Sequence, residues 1–328
     1  MLSNKNMLKW SCLKSEKYEF IQIFNSKEEV FMKYFDDYTR QTWYGFKKGT
    51  QFDQVKVSLD FVDQAEIQEV YLPLLEYIEI SIDHIKSLNY KQQAYLEQDK
   101  HVEPFIIGVT GGVSVGKSTV AEILKELLAQ VYPDKKVELI NTDGFLYPNA
   151  YLEKHNLLER KGFPESYDME ALKSFINDVR QAKGVLSHPV YSHEIYDIVP
   201  GEAKVIDQPD ILIVEGVVVL QSPDNPPLSS KDFLDFSIYV DAEFENVFKW
   251  FFERYRRIFD KVKDDPSNFY YEMSHWTEEE QTAFAKNIWA TINTPNLENY
   301  IAPTKQRADI ILHKGDNHYI DHIYVRRF

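Results

Sequence analysis

The stretch FIIGVTGGVSVGKS, residues 105–118, determines how the rest of the chain is interpreted. Its second part, GGVSVGKS at 111–118, fits the phosphate-binding pattern G-x-x-x-x-G-K-[ST]. The apolar run Phe105–Val109 before it predicts a buried strand, and a helical spacing of apolar residues begins near Lys117. A strand, a glycine-rich loop and a helix in this order are the context that the pattern requires, which disfavours a chance glycine turn.

The loop has the properties of a nucleotide triphosphate site. Gly111 and Gly116 allow the backbone to curl so that its N–H groups converge on phosphate oxygens. The N-terminus of the following helix adds positive potential at the same point. Lys117 is expected to reach the β- and γ-phosphates, and the Ser118 hydroxyl to bind Mg²⁺. The predicted nucleotide-binding residues of the loop are Gly111, Gly112, Val113, Ser114, Val115, Gly116, Lys117, Ser118 and Thr119.

Two acidic residues follow predicted strands. Asp143 comes just after Val137–Asn141, so its carboxylate is expected at the carboxyl end of a strand, where it could accept a proton from an attacking hydroxyl. The alternative is an Asp-Gly turn, and the spacing alone does not separate the two. Glu215 follows Ile211–Val214, where an unpaired buried carboxylate is costly. Binding of Mg²⁺, directly or through water, would compensate that cost, and so would a structural ion pair.

Beyond residue 104, short apolar runs alternate with amphipathic stretches. The predicted strands are Phe105–Val109, Val137–Asn141, Ile211–Val214, Phe236–Val240 and Ile310–His313. The predicted helices are Lys117–Val131, Met169–Val179 after a capping Asp168, 243–259, and a helix after the capping box of Thr277 and Glu280. Strands that are apolar on both faces and alternate with helices predict a doubly wound, mainly parallel α/β sheet.

The region before residue 104 divides in two. A helical spacing of apolar residues runs from Ile67 to Ile85 after a capping Asp63, and Pro73 is expected to kink or restart this helix. We therefore expect an N-terminal helical layer over 61–100 on a catalytic domain of 61–328. Residues 1–60 are an N-terminal extension without a clear periodicity.

Composition excludes several classes of protein. The 328 residues include 37 Lys+Arg and 52 Asp+Glu, a net charge of −15 that disfavours general nucleic-acid binding. One cysteine, Cys12, excludes an internal disulfide and a cysteine-based zinc cluster. No secretory signal and no membrane-spanning run are predicted, so we expect a cytoplasmic protein that does not bind membranes.

Among nucleotide-binding proteins, a small-molecule kinase fits best. An N-K-x-D-type base-reading segment, which a GTPase would need, is absent from the sequence, and a large motor ATPase usually needs a longer chain. Uridine or phosphoribulose-type kinases share the loop and a strand-end acid. A nucleotide sensor without catalysis is a further alternative, disfavoured by the presence of both Asp143 and Glu215.

From about residue 60 to the end, the chain resembles bacterial type I pantothenate kinase. The stretches that carry this resemblance are TDGF at 142–145, KGFPESYD at 161–168, PVYSHEIYD at 189–197, QPDILIVEG at 208–216 and DFSIYVDA at 235–242. The resemblance implies a P-loop kinase fold and ATP-dependent phosphorylation of the terminal hydroxyl of pantothenate, the first step toward coenzyme A. It also implies ATP and Mg²⁺ as cofactors, a homodimer, and coenzyme A as a possible feedback inhibitor. The dimer helix is expected to be Lys117–Val131 or a neighbour.

The resemblance also implies roles for individual residues. Asp143 matches the proposed base, Glu215 the second strand-end acid, and Arg254 a cation near the transferring phosphate. The residues implied in substrate binding are Asp143, Tyr191, His193, Tyr196, Phe251 and Asn293, and those implied around the adenine are Lys314 and His318.

Without the resemblance, several of these residues have simpler interpretations. His193 could be a solvated loop histidine, Arg254 in RYRR at 254–257 could belong to a solvated helix face, and Asn293 could cap a helix that ends before Pro295.

The sequence departs from the family pattern at a few positions. Glu122 stands where feedback-inhibited members have an arginine for coenzyme A phosphate, and Phe251 stands where they have a tyrosine that contacts pantothenate. Tyr255 and Ile258 replace phenylalanines of the wall around the pantetheine tail, and Leu59 stands where an asparagine near the adenine is expected. These departures concern inhibitor recognition and substrate geometry rather than phosphoryl transfer.

Overall fold

The computed structural model of the protein describes residues 32–48, 57, 62–99, 102–221 and 233–327. Cys12, Leu59 and most of the predicted N-terminal extension lie outside the described residues. Within these ranges, no helix is both long and apolar enough to span a bilayer.

The centre of the fold is a mainly parallel β-sheet. In the described residues this sheet has seven strands in the order β1-β9-β8-β7-β2-β6-β3. Neighbours from β8 to β3 pair in parallel, whereas β9 pairs antiparallel with both β8 and β1. Strands β4 and β5 form a separate antiparallel hairpin. The strand bounds are β1 Phe35–Thr39, β2 Phe105–Gly111, β3 Val137–Asn141, β4 Val185–Ser192, β5 Asp197–Asp207, β6 Ile211–Glu215, β7 Phe236–Ala242, β8 Ile310–Lys314 and β9 Ile320–Arg326.

Helices cover both faces of this sheet. Their bounds are α1 Arg40–Tyr44, α2 Leu72–Tyr95, α3 Lys117–Val131, α4 Asn149–Lys154, α5 Met169–Arg180, α6 Phe244–Lys261, α7 Tyr271–Ser274 and α8 Glu278–Ile288. Ile107 and Val109 of β2 share a core with α2, α3 and α6, while Ile106 faces the opposite side and packs with α5. The doubly wound α/β fold with an N-terminal helical layer is thus confirmed.

Most predicted elements are confirmed with small changes at their ends. Helix α3 has the predicted bounds, and the Thr277–Glu280 capping box is present at the start of α8. Pro73 lies in the first turn of α2, which begins directly after the π-helical turn Ile67–Tyr71, so the helix restarts at this proline, one of the two expectations. The expectation that every strand is apolar on both faces is wrong for β3, which is partly exposed because it is the edge strand of the sheet.

Candidate functional site

The loop between β2 and α3 has the backbone of a phosphate cradle. Gly116 precedes α3 with a φ of 97°, in the left-handed region that favours glycine. A Cβ on Gly111 would lie 2.2 Å from the carbonyl oxygen of Val240, so the backbone approach there also requires glycine. The Ser114 hydroxyl is buried and has no hydrogen-bond partner in the part of the chain that the structure describes. An unpaired hydroxyl among inward-curling amides fits an anion as ligand.

Lys117 lies at the centre of this cradle. Its side chain is buried, and Nζ donates to the carbonyl oxygen of Gly112 at 2.8 Å. Burial lowers the pKa of Lys117, while the nearby carboxylates of Glu215 and Asp143 oppose that shift. The ammonium is therefore held close to two acids, in a place where it can contact phosphate oxygens.

Glu215 ends β6 and is 4% exposed. Its Oε2 accepts a hydrogen bond from Asn141 Nδ2 at 2.5 Å, and its carboxylate hydrogen-bonds with Ser118. Burial raises the pKa of Glu215, and the charge of Lys117 opposes the shift. Among the described residues, Glu215 has no ion pair within 4 Å, so the site does not contain the structural ion pair considered as an alternative for this residue.

Asp143 lies in the short helical turn Thr142–Phe145 that follows β3. The turn is stabilised by Asn141, whose Oδ1 accepts from the Asp143 backbone N–H at 2.7 Å. The Asp143 carboxylate instead accepts a hydrogen bond from the Tyr167 hydroxyl at 3.1 Å. Asp143 therefore occupies the predicted turn, but its side chain is not needed to form it.

Sheet register brings these groups together. Glu215 pairs with Val109 of β2 on one side and with Asn141 of β3 on the other. All three strands are parallel, so the P-loop, Glu215 and Asp143 follow the carboxyl ends of adjacent strands. The negative charge of Asp143 acts to raise the pKa of both Lys117 and Glu215. The three charged groups therefore form one electrostatic cluster.

The turn of the β4–β5 hairpin faces this cluster. The Tyr191 ring lies 5.2 Å from that of His193 and 6.4 Å from that of Tyr196. Partial desolvation by the residues around it lowers the pKa of His193, and the charge of Asp143 opposes that shift. His193 is thus on an exposed turn, as its simpler interpretation requires, yet close enough to Asp143 for an electrostatic effect.

Lys161 is a candidate site residue that was not predicted from the sequence. It is 6% exposed, and Nζ donates to Asn149 Oδ1 and to the carbonyl oxygen of Tyr196, both at 2.6 Å. Nζ also lies 4.2 Å from the centre of the Tyr196 ring. Burial lowers the pKa of Lys161 to about 8, against the charges of Asp197 and Asp143. The sequence does contain a hint of this role. Lys161 is the first residue of KGFPESYD at 161–168, and Tyr167 of the same stretch contacts Asp143.

Arg254 lies on the exposed surface of α6. Its neighbours satisfy the solvated-face interpretation: Arg256 pairs with Glu278 at 2.6 Å, and Arg257 donates to the carbonyl oxygen of Glu253. Arg254 has no hydrogen bond or ion pair with any other described residue. Its positive charge nevertheless helps to lower the pKa of Lys117 and His193 and opposes the rise in that of Glu215. The free guanidinium therefore belongs to the electrostatic environment of the cluster.

Asn293 does not cap a helix, so that interpretation is wrong. The helical backbone continues through Pro295, because π-helical turns at Trp289–Asn293 and Leu297–Ile301 accommodate it. Asn293 is 9% exposed and its Nδ2 has no hydrogen-bond partner among the described residues. A buried, unpaired amide donor is costly unless a ligand accepts from it.

Phe251 and Tyr255 line an aromatic cluster next to the hairpin turn. Phe251 is buried and its ring lies 4.7 Å from that of Tyr255. The Tyr255 hydroxyl hydrogen-bonds with that of Tyr270, and burial raises the pKa of Tyr255 to about 12. Ile258 packs at the edge of the same cluster. The tyrosine at 255 thus adds a polar bond to an otherwise apolar wall.

Lys314 and His318 lie at the other end of the P-loop. Lys314 ends β8, and its Nζ lies 2.7 Å from the point that a Cβ on Gly116 would occupy. His318 is exposed and stacks on buried Trp250 at 4.1 Å between ring centres. Lys314 therefore lies beside the loop, and His318 lies in the turn that connects β8 to β9.

The fold and the glycine-rich loop define a P-loop kinase. A model of the phosphoribulokinase / uridine kinase family matches residues 106–257. A solved structure, that of the YGR205w protein, superimposes with a TM-score of 0.52 at 17% identity, covering 76% of this chain and 99% of the other, and it supports the fold alone.

Full-length relatives specify the family. A pantothenate kinase of Enterococcus faecalis is 45% identical over 297 residues, which cover 88% of this chain and 97% of the relative. A pantothenate kinase of Ligilactobacillus salivarius is 47% identical over 269 residues, 82% of this chain and 88% of the relative. The chain belongs to the pantothenate kinase family.

Proposed function

We propose that this protein transfers the γ-phosphoryl group of ATP to the terminal hydroxyl of pantothenate, the first step of coenzyme A synthesis. The observation that carries the proposal is the meeting of Lys117, Glu215 and Asp143 at the carboxyl ends of adjacent parallel strands. Asp143 orients the acceptor hydroxyl and takes its proton, while Lys117 and Arg254 stabilise negative charge on the transferring group. The relatives that bear the name pantothenate kinase support this acceptor.

ATP and Mg²⁺ are the cofactors of this reaction. The P-loop amides, Lys117 and the unpaired Ser114 hydroxyl suit the phosphates. In the described residues, no group of three or more His, Cys, Asp or Glu side chains could hold a metal. Mg²⁺ in phosphoryl-transfer sites needs fewer protein ligands, because phosphates and water complete its shell. The hydrogen-bonded oxygens of Ser118 and Glu215 would hold it, and the bound ion would neutralise phosphate charge.

We assign the acceptor pocket to the hairpin turn and α6. Tyr191, His193, Tyr196 and Lys161 provide polar groups around Asp143, and Asn293 provides an unpaired amide donor. The aromatic cluster that contains Phe251 and Tyr255 supplies an apolar wall for the rest of the acceptor.

The direct test is a coupled assay of ADP release from ATP with three acceptors. Turnover with pantothenate, and not with uridine or ribulose 5-phosphate, is the expected result. Turnover with either of the other acceptors would instead assign the protein to that kinase type. Nucleotide binding without turnover of any acceptor would support a sensor.

The structure also suggests where a homodimer would form. The apolar residues of α3, the helix that the resemblance favours together with its neighbours, are largely buried inside the protomer. The neighbouring helix α2 exposes the apolar residues Ile80, Leu88 and Tyr90. We propose that this exposed surface of α2 packs against a second copy. Light scattering should give the dimer mass for the wild type and the monomer mass for the double variant Ile80→Glu/Leu88→Glu.

A cytoplasmic location stays a prediction.

Glu122 on α3 bears on regulation by coenzyme A. Ser118 and Glu122 are both exposed and lie one helical turn apart on α3, so a phosphate bound at the loop would meet the Glu122 carboxylate. We propose that coenzyme A inhibits this protein more weakly than it inhibits relatives with an arginine at this position.

A further inference from the structure

A buried carboxylate connects the N-terminal helical layer to the nucleotide end of the site. Glu66 ends the helical turn Gln64–Glu66 and is 8% exposed. Its Oε1 accepts a hydrogen bond from the backbone N–H of Ile320 at 2.7 Å. Because Ile320 is the first residue of β9, this bond fixes the point where the chain re-enters the sheet after the loop that carries His318.

Lys314 lies directly opposite this contact. It is the last residue of β8 and pairs with Ile320, at a point where the register of the two strands shifts. Its side chain is 7% exposed, and Nζ reaches the surface of Gly116, the residue before α3. The β8–β9 register therefore determines how the Lys314 ammonium sits against the P-loop.

The Lys314 ammonium has an unusual environment. Among the described residues it makes no hydrogen bond and no ion pair within 4 Å. Burial lowers its pKa, and Glu66 is the charged group that opposes the shift. Burial raises the pKa of Glu66, while the hydrogen bond from Ile320 and the charges of Lys314 and Arg40 oppose that shift. A buried ammonium without hydrogen-bond acceptors is costly, and a phosphate group next to Gly116 would supply them.

We infer that Glu66 is a positioning residue for the nucleotide: its carboxylate, fixed by the bond from Ile320, holds the Lys314 ammonium in place against Gly116. The N-terminal helical layer is then part of the ATP site, although none of the loop motifs lies in it. The inference rests on the proposed function for the identity of the nucleotide.

The test is calorimetric binding of MgADP to the full chain, which needs no acceptor. Glu66→Gln keeps an oxygen that can accept from Ile320 and removes the charge, so binding should weaken about five-fold. Glu79→Gln is the matched control. Glu79 lies on α2 in the same helical layer and, like Glu66, accepts a hydrogen bond. Its donor is Tyr132, at the end of α3 far from the P-loop, so binding should be unchanged.

A double-mutant cycle separates positioning from a general loss of structure. In a Lys314→Met background, Glu66→Gln should change MgADP affinity less than two-fold, because the charge it acts on is gone. In steady-state assays of Glu66→Gln, the KM for ATP should rise while kcat and the KM for the acceptor stay within two-fold.

Equal weakening by Glu66→Gln in both backgrounds, or no weakening in the wild-type background, would overturn the inference. These outcomes differ from failure of the proposed function, which would appear as normal MgADP binding without turnover of pantothenate.

Discussion

The hydroxyl of Tyr167 donates a hydrogen bond to Asp143 Oδ1 at 3.1 Å. Burial raises the pKa of Tyr167 well above its usual value, and the charge of Asp143 adds to the shift, so the phenol stays a donor. The backbone N–H of Asp168 donates to the carbonyl oxygen of Phe145 at 2.8 Å, which fixes Tyr167 to the turn that carries Asp143. The bond therefore orients one carboxylate oxygen, and no group in the described part of the chain bonds to the other, which can accept from a hydroxyl.

Asp143→Asn should lower kcat by about 10²–10⁴, the usual contribution of a general base, with little effect on the KM for ATP. Tyr167→Phe should lower kcat only about three- to ten-fold, because the carboxylate remains and loses one orienting bond. Steady-state kinetics with both substrates varied would check these values. An Asp143→Asn protein with nearly normal kcat would remove Asp143 as the base.

Lys161 predicts a pH dependence of acceptor binding. Its folded-state pKa is lowered to about 8, so the ammonium loses its proton as the pH rises through that value. Between pH 7 and 9 the KM for pantothenate should therefore rise, because the positive charge near Asp143 is lost.

Lys161→Arg provides the control for this titration. The guanidinium stays charged throughout the range, so the rise between pH 7 and 9 should disappear, whatever the absolute KM. If the wild-type and Lys161→Arg profiles rise in parallel, another group causes the pH dependence.

Gly216→Ala should destabilise the fold strongly. An added Cβ would lie 1.7 Å from Oγ1 of Thr142, which is fully buried between two strand ends. We expect a loss of at least about 2–3 kcal/mol in the free energy of unfolding.

Gly184→Ala is a matched control. Nothing lies within 4 Å of its added Cβ, but its φ of 86° is unfavourable, so the loss should be about 1 kcal/mol. Urea unfolding would measure both, and equal losses would contradict the predicted clash.

The sequence predicted the parallel part of the sheet because most of those strands are short runs rich in apolar residues. Strand β3, VELIN, carries Glu138 and is the exception. All five predicted strands were present, and their order along the chain brought Asp143 and Glu215 to the edge expected for strand-end acids. The antiparallel strands β1 and β9 were not predicted. In β1, FDDYT alternates buried and exposed residues over only five positions, a pattern too short to separate from a loop.

The features that could not be predicted from the sequence, Lys161 and the π-helical turns around Pro295, depend on tertiary contacts. Lys161 is far from Asp143 along the chain, and its place near the site depends on the carbonyl of Tyr196, whose φ is 52°. No periodicity encodes such a contact. Likewise, the π-helical turns that carry the backbone through Pro295 depend on tertiary packing, because proline alone predicts the end of a helix.

Glu215 should set the requirement for magnesium. Glu215→Gln keeps the size of the side chain and removes the charge, so the Mg²⁺ concentration for half-maximal rate should rise about ten-fold. Glu138→Gln, on the neighbouring β3 but on its partly exposed surface, is the control and should not change it. The measurement is a Mg²⁺ titration at fixed ATP. Unchanged magnesium dependence in Glu215→Gln would leave the carboxylate with a structural role only.

Coenzyme A inhibition should depend on the charge at position 122. If its phosphates approach the P-loop, the Glu122 carboxylate repels them where an arginine would form charge-assisted bonds. Glu122→Arg should therefore lower the coenzyme A concentration for half inhibition by about ten-fold at fixed ATP. Glu126→Arg, one turn further along α3 and away from the loop, makes the same charge change and should have a much smaller effect. If the wild type is already inhibited at low micromolar coenzyme A and Glu122→Arg changes nothing, the carboxylate does not weaken feedback.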